Sequence, residues 1–100
     1  NAAAAAAGLP LADGAERLAV LPAAHEGEGL ASTLEQFDTI VLLKVNRVFD
    51  RVLDVLERLT LANRAVFVRR CGSTDQEIVA DVAHLRGQDL DYLSLLIVRK

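Results

Sequence analysis

The stretch TIVLLKVNRVFDRVLDVLERLTLANRAVFVRR, residues 39 to 70, changes its hydrophobic period twice. Residues 39 to 45 are rich in β-branched side chains and almost continuously apolar, which predicts a strand covered on both faces. After residue 46 the apolar positions recur at three and four: Val48, Phe49, Val52, Leu53, Leu56 and Leu59. Arg47, Asp50, Arg51, Asp54, Glu57 and Arg58 take the opposite side. That spacing predicts an amphipathic helix over 46–60. Asn46 is placed to cap it, and Asp54 and Arg58, four apart, to pair on its surface. From residue 64 the run RAVFVRRC returns to a strand. Strand, helix and strand joined by short connections predict a parallel βαβ unit, and with it an α/β domain.

Working outward, YLSLLIVRK at residues 92–100 reads as a further strand lying beside this unit. Upstream, RLAVLPA at 17–23 alternates Leu18, Val20 and the ring of Pro22 with a strand's period of two. HEGEG at 25–29 has loop chemistry, and LASTLEQF at 30–37 resumes helical spacing at Leu30, Leu34 and Phe37. Six alanines followed by Gly8 and Pro10 read as the closing turns of a helix, with a glycine fit for the left-handed C-terminal position and a proline that stops it. Residues 76–85 admit two readings. Ile78, Val79, Val82 and Leu85 fit a helix, with Ser73 and Gln76 as a capping box, whereas Ile78, Ala80 and Val82 alternate as in a strand.

Composition narrows the function classes. One hundred residues make at most one domain, with roughly 60 to 70% of the unfolded chain's surface buried. Hydrophobic residues are 52% of the chain and charged residues 25%, which suits an ordered fold rather than a disordered segment. A net charge of -3 provides no basic footprint for nucleic acid. No apolar run approaches the roughly 20 residues that cross a bilayer, so no membrane partner is expected. The start lacks the basic region of a secretory signal. A single cysteine forms no internal disulfide, and Cys71, His25 and His84 lie too far apart in sequence for a metal-ligand set. The expected compartment is the cytoplasm, with no metal.

Candidate site residues gather where the strands end. Gly72 follows the strand over RAVFVRRC; a ligand settles at such a carboxyl edge, because backbone without a side chain approaches it closely. A plain turn glycine is the competing reading. Lys44 closes the 39–45 strand at the same edge, either lining a shared rim or reaching for water. Arg69 and Arg70, adjacent in a strand, are expected on opposite faces, so one of them at most lines a given pocket. An arginine fork there suits a carboxylate. Cys71 has no local nucleophile motif and reads first as a small residue at a strand end. His25 and His84 read as surface residues.

Taken in order, AAAAAAGLPLADGAERLAVLPA, FDTIVLLKVNRVFDRVLDVLERL, RAVFVRRCGSTDQEIVADV and DYLSLLIVRK resemble the carboxyl-terminal half of the tetrapyrrole methylase family. The nearest likeness is to the branch that methylates precorrin-2 at carbon 20 in cobalamin biosynthesis. The resemblance covers essentially the whole chain. It implies a mixed sheet of about five strands flanked by helices, the second of two α/β domains, over residues 15–100, with residues 1–14 as the end of an interdomain helix and its linker. It implies S-adenosylmethionine in the cleft between the domains and a homodimer. Leu43 stands where the family usually has a cofactor-contacting methionine; Gly72 matches the family's close-approach glycine, with Cys71 and Ser73 flanking it. Lys44 and Arg69 are the candidate substrate contacts. The resemblance also favours a strand on EIVADV, residues 77–82.

The implied reaction moves a methyl group from S-adenosylmethionine to carbon 20 of precorrin-2, giving precorrin-3A. The Gly-rich loop of the family's first domain has no counterpart, so residues 1–100 alone are expected to be inactive. Methylation of another ring carbon, or of cobalt-precorrin-2, fits the same residues. A stand-alone α/β interaction domain is the alternative of a different class, and the alanine-rich start speaks against it.

Overall fold

A computed structural model describes residues 15–26 and 29–100. The expected alanine helix end, the 1–14 boundary and the centre of the HEGEG loop lie outside the described residues. Five strands form one mixed sheet: β1 (Leu18–Pro22), β2 (Thr39–Leu43), β3 (Ala65–Arg69), β4 (Glu77–Val79) and β5 (Ser94–Arg99). Their order across the sheet is β1-β2-β5-β3-β4. β1 and β2 are parallel; the three other pairings are antiparallel.

The helical segments are α1 (Ala23–Glu26), α2 (Leu30–Gln36) and α3 (Phe49–Arg58), with 3₁₀ turns at Val45–Arg47, Ala62–Arg64 and Val82–Leu85. They bury one face of the sheet. Leu30, Leu34, Val52, Leu53, Leu56, Val82 and Leu85 close over Ile40, Leu42, Phe67, Leu96 and Val98. Phe49 meets Phe67 edge to face, with ring centroids 5.7 Å apart, a favoured aromatic geometry. The pleat sends alternate residues to the second face, where Val41, Val68, Leu95 and Ile97 form a smaller buried cluster. Thr39 through Leu42 are buried throughout, as the unbroken apolar run of β2 predicts. Lys100 Nζ closes the end of α2, donating to the Leu34 carbonyl at 2.5 Å, where a cation also meets the negative end of the helix.

The α/β domain with a mixed five-stranded sheet agrees with the sequence reading; several details do not. β2 and β3 run in the same direction, yet β5 lies between them, hydrogen-bonded to both. In β1 the inward set is reversed. Parallel register sets Ala19 beside Ile40 and Leu21 beside Leu42 on the helix-covered face, which leaves Leu18 and Val20 37% and 45% exposed. Both alternating sets of β1 are apolar, so the partner strand's register decides between them.

Asn46 caps no helix: it sits inside the 3₁₀ turn, and α3 starts after Val48 with no side-chain cap. Asp54 bonds Arg86 at 2.7 Å rather than Arg58. Within residues 76–85 the strand covers only 77–79, short of the expected 77–82, and residues 82–85 form a 3₁₀ turn in place of the alternative helix. The proposed capping residues Ser73 and Gln76 belong to a loop. Residues 23–26 form a helical turn before the glycines of the HEGEG stretch. Among the described residues no helix is long and apolar enough to cross a membrane.

Candidate functional site

β2 and β3 run in the same direction, so their carboxyl ends, Leu43–Lys44 and Arg69–Gly72, emerge at one edge, and the segment entering β5 runs between them. Leu43 and Cys71 are both half-buried and pack against the same second-face cluster of Val41, Val68, Leu95 and Ile97. Two predicted cofactor residues from separate elements are thereby brought together. The Cys71 N–H donates to the Leu93 carbonyl at 3.3 Å, which ties the β3 exit to the β5 entry.

Gly72 has a φ of +85°, and an added Cβ would meet no atom of the described residues within 4 Å. The chain therefore turns through a conformation that suits glycine and borders open space. Its N–H is already used, donating to the Gln76 side-chain oxygen at 2.8 Å. The Ser73 hydroxyl donates to the Asp75 carboxylate. That hydrogen bond is the largest cause holding the Asp75 carboxyl below its ordinary range, with the Arg70 guanidinium adding to it. The loop satisfies its own polar groups, and what it presents outward at Gly72 is bare backbone. Gly72 directly follows the half-buried Cys71 and is left open by the described residues. Among the described residues no group of three or more His, Cys, Asp or Glu is placed to hold a metal ion.

Lys44 and Arg69 do not join that wall equally. Lys44 takes a left-handed φ of 52°, is exposed, and sets Nζ 6.0 Å from the Tyr92 ring centroid. Arg69 lies on the helix-covered face. Its guanidinium stands 5.8 Å from the Phe67 ring centroid and 4.0 Å from Glu77, and its Nε is buried with no hydrogen-bond partner among the described residues. The thickness of the sheet separates it from Leu43 and Cys71.

The expectation that Arg69 and Arg70 diverge fails for a backbone reason. Arg70 leaves the strand with a φ of 52°, so strand alternation no longer applies, and both guanidiniums approach the same Glu77 oxygen, at 4.0 and 3.3 Å. Sequence reasoning weighed Arg70 only against Arg69, gave Asp91 no role, and took Tyr92 and Leu93 into the last strand, which begins at Ser94. Tyr92 and Leu93 are 63% and 61% exposed at the rim, and two large apolar residues just ahead of a strand were the available signal.

A groove of about 510 Å³ runs beside α3, lined among others by Asn46, Arg47, Phe49, Asp50 and Gly87. None of the six predicted site residues lines it. Its carboxylates are engaged structurally: Asp50 accepts the Gly87 N–H at 3.1 Å, and Asp54 with Glu57 binds Arg86 at 2.7 and 2.5 Å. Those pairs, the Asp54 hydrogen bond first, raise the Arg86 guanidinium above its ordinary value.

Residues 1–85 match the tetrapyrrole (corrin/porphyrin) methylases. The chain belongs to the tetrapyrrole methylase family. A probable cobalt-precorrin-2 C(20)-methyltransferase from Methanocaldococcus jannaschii is 28% identical over 104 residues, covering 99% of this chain and 42% of the relative. Among solved structures, uroporphyrin-III C-methyltransferase from Thermus thermophilus, complexed with S-adenosylhomocysteine, superposes with a TM-score of 0.65 at 23% identity. That match covers 98% of this chain and 49% of the other. The native form of the same Thermus protein gives a TM-score of 0.64 at 24% identity, over 95% and 47%. The chain thus spans less than half the length of these tetrapyrrole methylases, and the structural likeness establishes the shared fold.

Proposed function

We propose that this chain is the carboxyl-terminal domain of an S-adenosylmethionine-dependent methyltransferase acting at carbon 20 of a precorrin-2-type macrocycle in cobalamin biosynthesis. The observation that carries the reading is the wall where Leu43 and Cys71 pack against one apolar cluster, with Gly72 next in the chain and left open by the described residues, in a chain of this family. The 28% identical relative named for the C20 reaction supports the choice of carbon and, by its name, a cobalt-loaded macrocycle alongside metal-free precorrin-2.

The donor supplies an electrophilic methyl group on a sulfonium. Carbon acting as nucleophile needs no covalent help from the chain, so the residues here contribute position. Leu43 and Cys71 offer apolar bulk, Gly72 permits close approach of backbone, and Ser73 holds the turn through Asp75. Lys44 and Arg69 are the proposed contacts to substrate carboxylates, Lys44 the better placed because it stands exposed on the rim. A preceding domain would complete the cleft, as the lengths of the relatives suggest, so residues 1–100 alone would not methylate. The same reading carries a homodimer in the cytoplasm, without nucleic acid, membrane or metal.

The test is titration calorimetry of S-adenosylhomocysteine into the full-length protein, followed by methylation assays on precorrin-2 and cobalt-precorrin-2. Binding together with C20 methylation of either macrocycle is the expected result. Absence of binding would overturn the proposal and favour an interaction domain. Binding with methylation at a different carbon would correct the position only.

A further inference from the structure

Arg70 is a non-glycine residue held at a φ of 52°, a conformation that persists when the surroundings determine it. Its side chain reaches in three directions. Nε donates to the Asp75 carbonyl at 3.1 Å, Nη1 to the Asp91 carboxylate at 3.1 Å, and Nη2 to the Glu77 carboxylate at 3.3 Å. Nε also lies 3.1 Å from the Asp75 carboxylate. These acceptors belong to the turn after Gly72, to the start of β4, and to the segment that leads through Tyr92 and Leu93 into β5. One guanidinium therefore spans both stretches of chain at the rim, next to the single backbone bond from Cys71 to Leu93. A planar fork serves separated acceptors with fixed directions; a lysine ammonium is a point charge and does not reproduce them.

Exposure separates a local role from a global one. The Arg70 side chain is 35% exposed and its carboxylate partners 41 to 69%, and ion pairs this wet contribute little to overall stability. Losing the fork should loosen the rim while leaving the rest of the sheet standing.

We infer that Arg70 is a positioning residue for the methyl donor: its guanidinium holds the Cys71–Gly72 wall and the Tyr92–Leu93 segment at the spacing the cofactor enters. This rests on the reading of that wall as a cofactor site. Three variants of the full-length protein test it. Arg70→Gly suits the left-handed backbone and lacks the fork, Arg70→Lys keeps the charge and lacks the fork, and Asp91→Ala removes the arm to the β5 entry.

S-adenosylhomocysteine affinity is measured by calorimetry, thermal melting is followed without ligand, and KM is determined for the donor and for the macrocycle. The expected result is a loss of about tenfold or more in affinity for both Arg70 variants and a smaller loss for Asp91→Ala. Melting temperatures stay close to that of the parent, and KM rises for the donor while staying within twofold for the macrocycle. Arg70→Gly binding as tightly as the parent protein would overturn the inference and leave the function standing. A parent protein that does not bind at all would overturn the function, and the inference with it. Should Arg70→Gly fail to fold, Arg70 is a fold residue and the inference also falls, unless Asp91→Ala folds and shows the same selective rise in donor KM, which supports it.

Discussion

Replacing Gly72 separates two effects that obey different rules. The first is backbone conformation: an L-residue placed in the left-handed region costs roughly 1–2 kcal/mol. At Gly72 the described residues add no steric contribution to this, because an added Cβ meets none of them within 4 Å. Gly72→Ala should therefore lower stability by about 1–2 kcal/mol. Gly72→Asn should lower it less, because asparagine tolerates positive φ better than alanine. The second effect is bulk at the proposed cofactor wall, which grows from glycine to alanine to asparagine. Stability is thus expected to rank Gly, Asn, Ala, whereas S-adenosylhomocysteine affinity ranks Gly, Ala, Asn. Melting of the unliganded full-length protein gives the first order and calorimetry gives the second. If affinity follows the stability order instead, Gly72 acts only through the shape of its loop, and the close-approach argument is refuted.

Phe49→Ala removes a side chain only 3% exposed that stacks edge-on against Phe67, and should destabilise by about 3–5 kcal/mol in chemical denaturation. A loss below about 1 kcal/mol would mean that the site collapses to refill the space. Thr39→Val replaces a buried hydroxyl that has no hydrogen-bond partner among the described residues by a methyl of like shape, and should raise stability by up to about 1–3 kcal/mol; a drop would reveal a partner for that hydroxyl. Arg86→Ala breaks two exposed ion pairs to α3, so its small effect on melting should vanish near about 1 M salt; an effect that survives salt would point to packing by the aliphatic stem. The Asp75 carboxyl is held low, first by the Ser73 hydroxyl, so its contribution is present above the ordinary aspartate range and is lost as pH falls through the lowered value. NMR titration of Asp75 in Ser73→Ala should show its midpoint moving up, and an unmoved midpoint would remove the serine from the account.

What the sequence makes legible depends on whether a local pattern or a distant partner decides the outcome. The period of Val48 through Leu59 foretells α3, and the unbroken apolar run foretells a β2 buried on both faces, because each pattern records its own environment. The inward face of β1 is not legible, since Leu18 and Val20 alternate as well as Ala19 and Leu21, and the register against β2 chooses. The insertion of β5 between β2 and β3 is likewise a long-range pairing that no local signal encodes. At the candidate site, Gly72 and its neighbours can be located from the strand end and the family likeness. The role of Arg70 could not be, because it hangs on a positive φ in a residue that does not advertise one, and on acceptors up to 21 positions away. Asn46 shows the converse failure: a residue with capping chemistry stands where the chain has already begun to turn.

The central place of β5 also bears on how the domain is made. β2 and β3 are not neighbours in the sheet and, among the described residues, are bridged by the β5 strand at 94–99. During synthesis those residues follow β3 by more than twenty positions, so a nascent chain displaying β1 through β4 carries two half-sheets with open inner edges. Unpaired edges of apolar strands are the surfaces on which chains stick to one another. Closure therefore waits for one late strand to zip both sides at once, a non-local step of the kind that slows folding. A ribosomal stall just ahead of Ser94 should thus hold the chain in that divided state and leave a product prone to aggregate rather than a shortened domain.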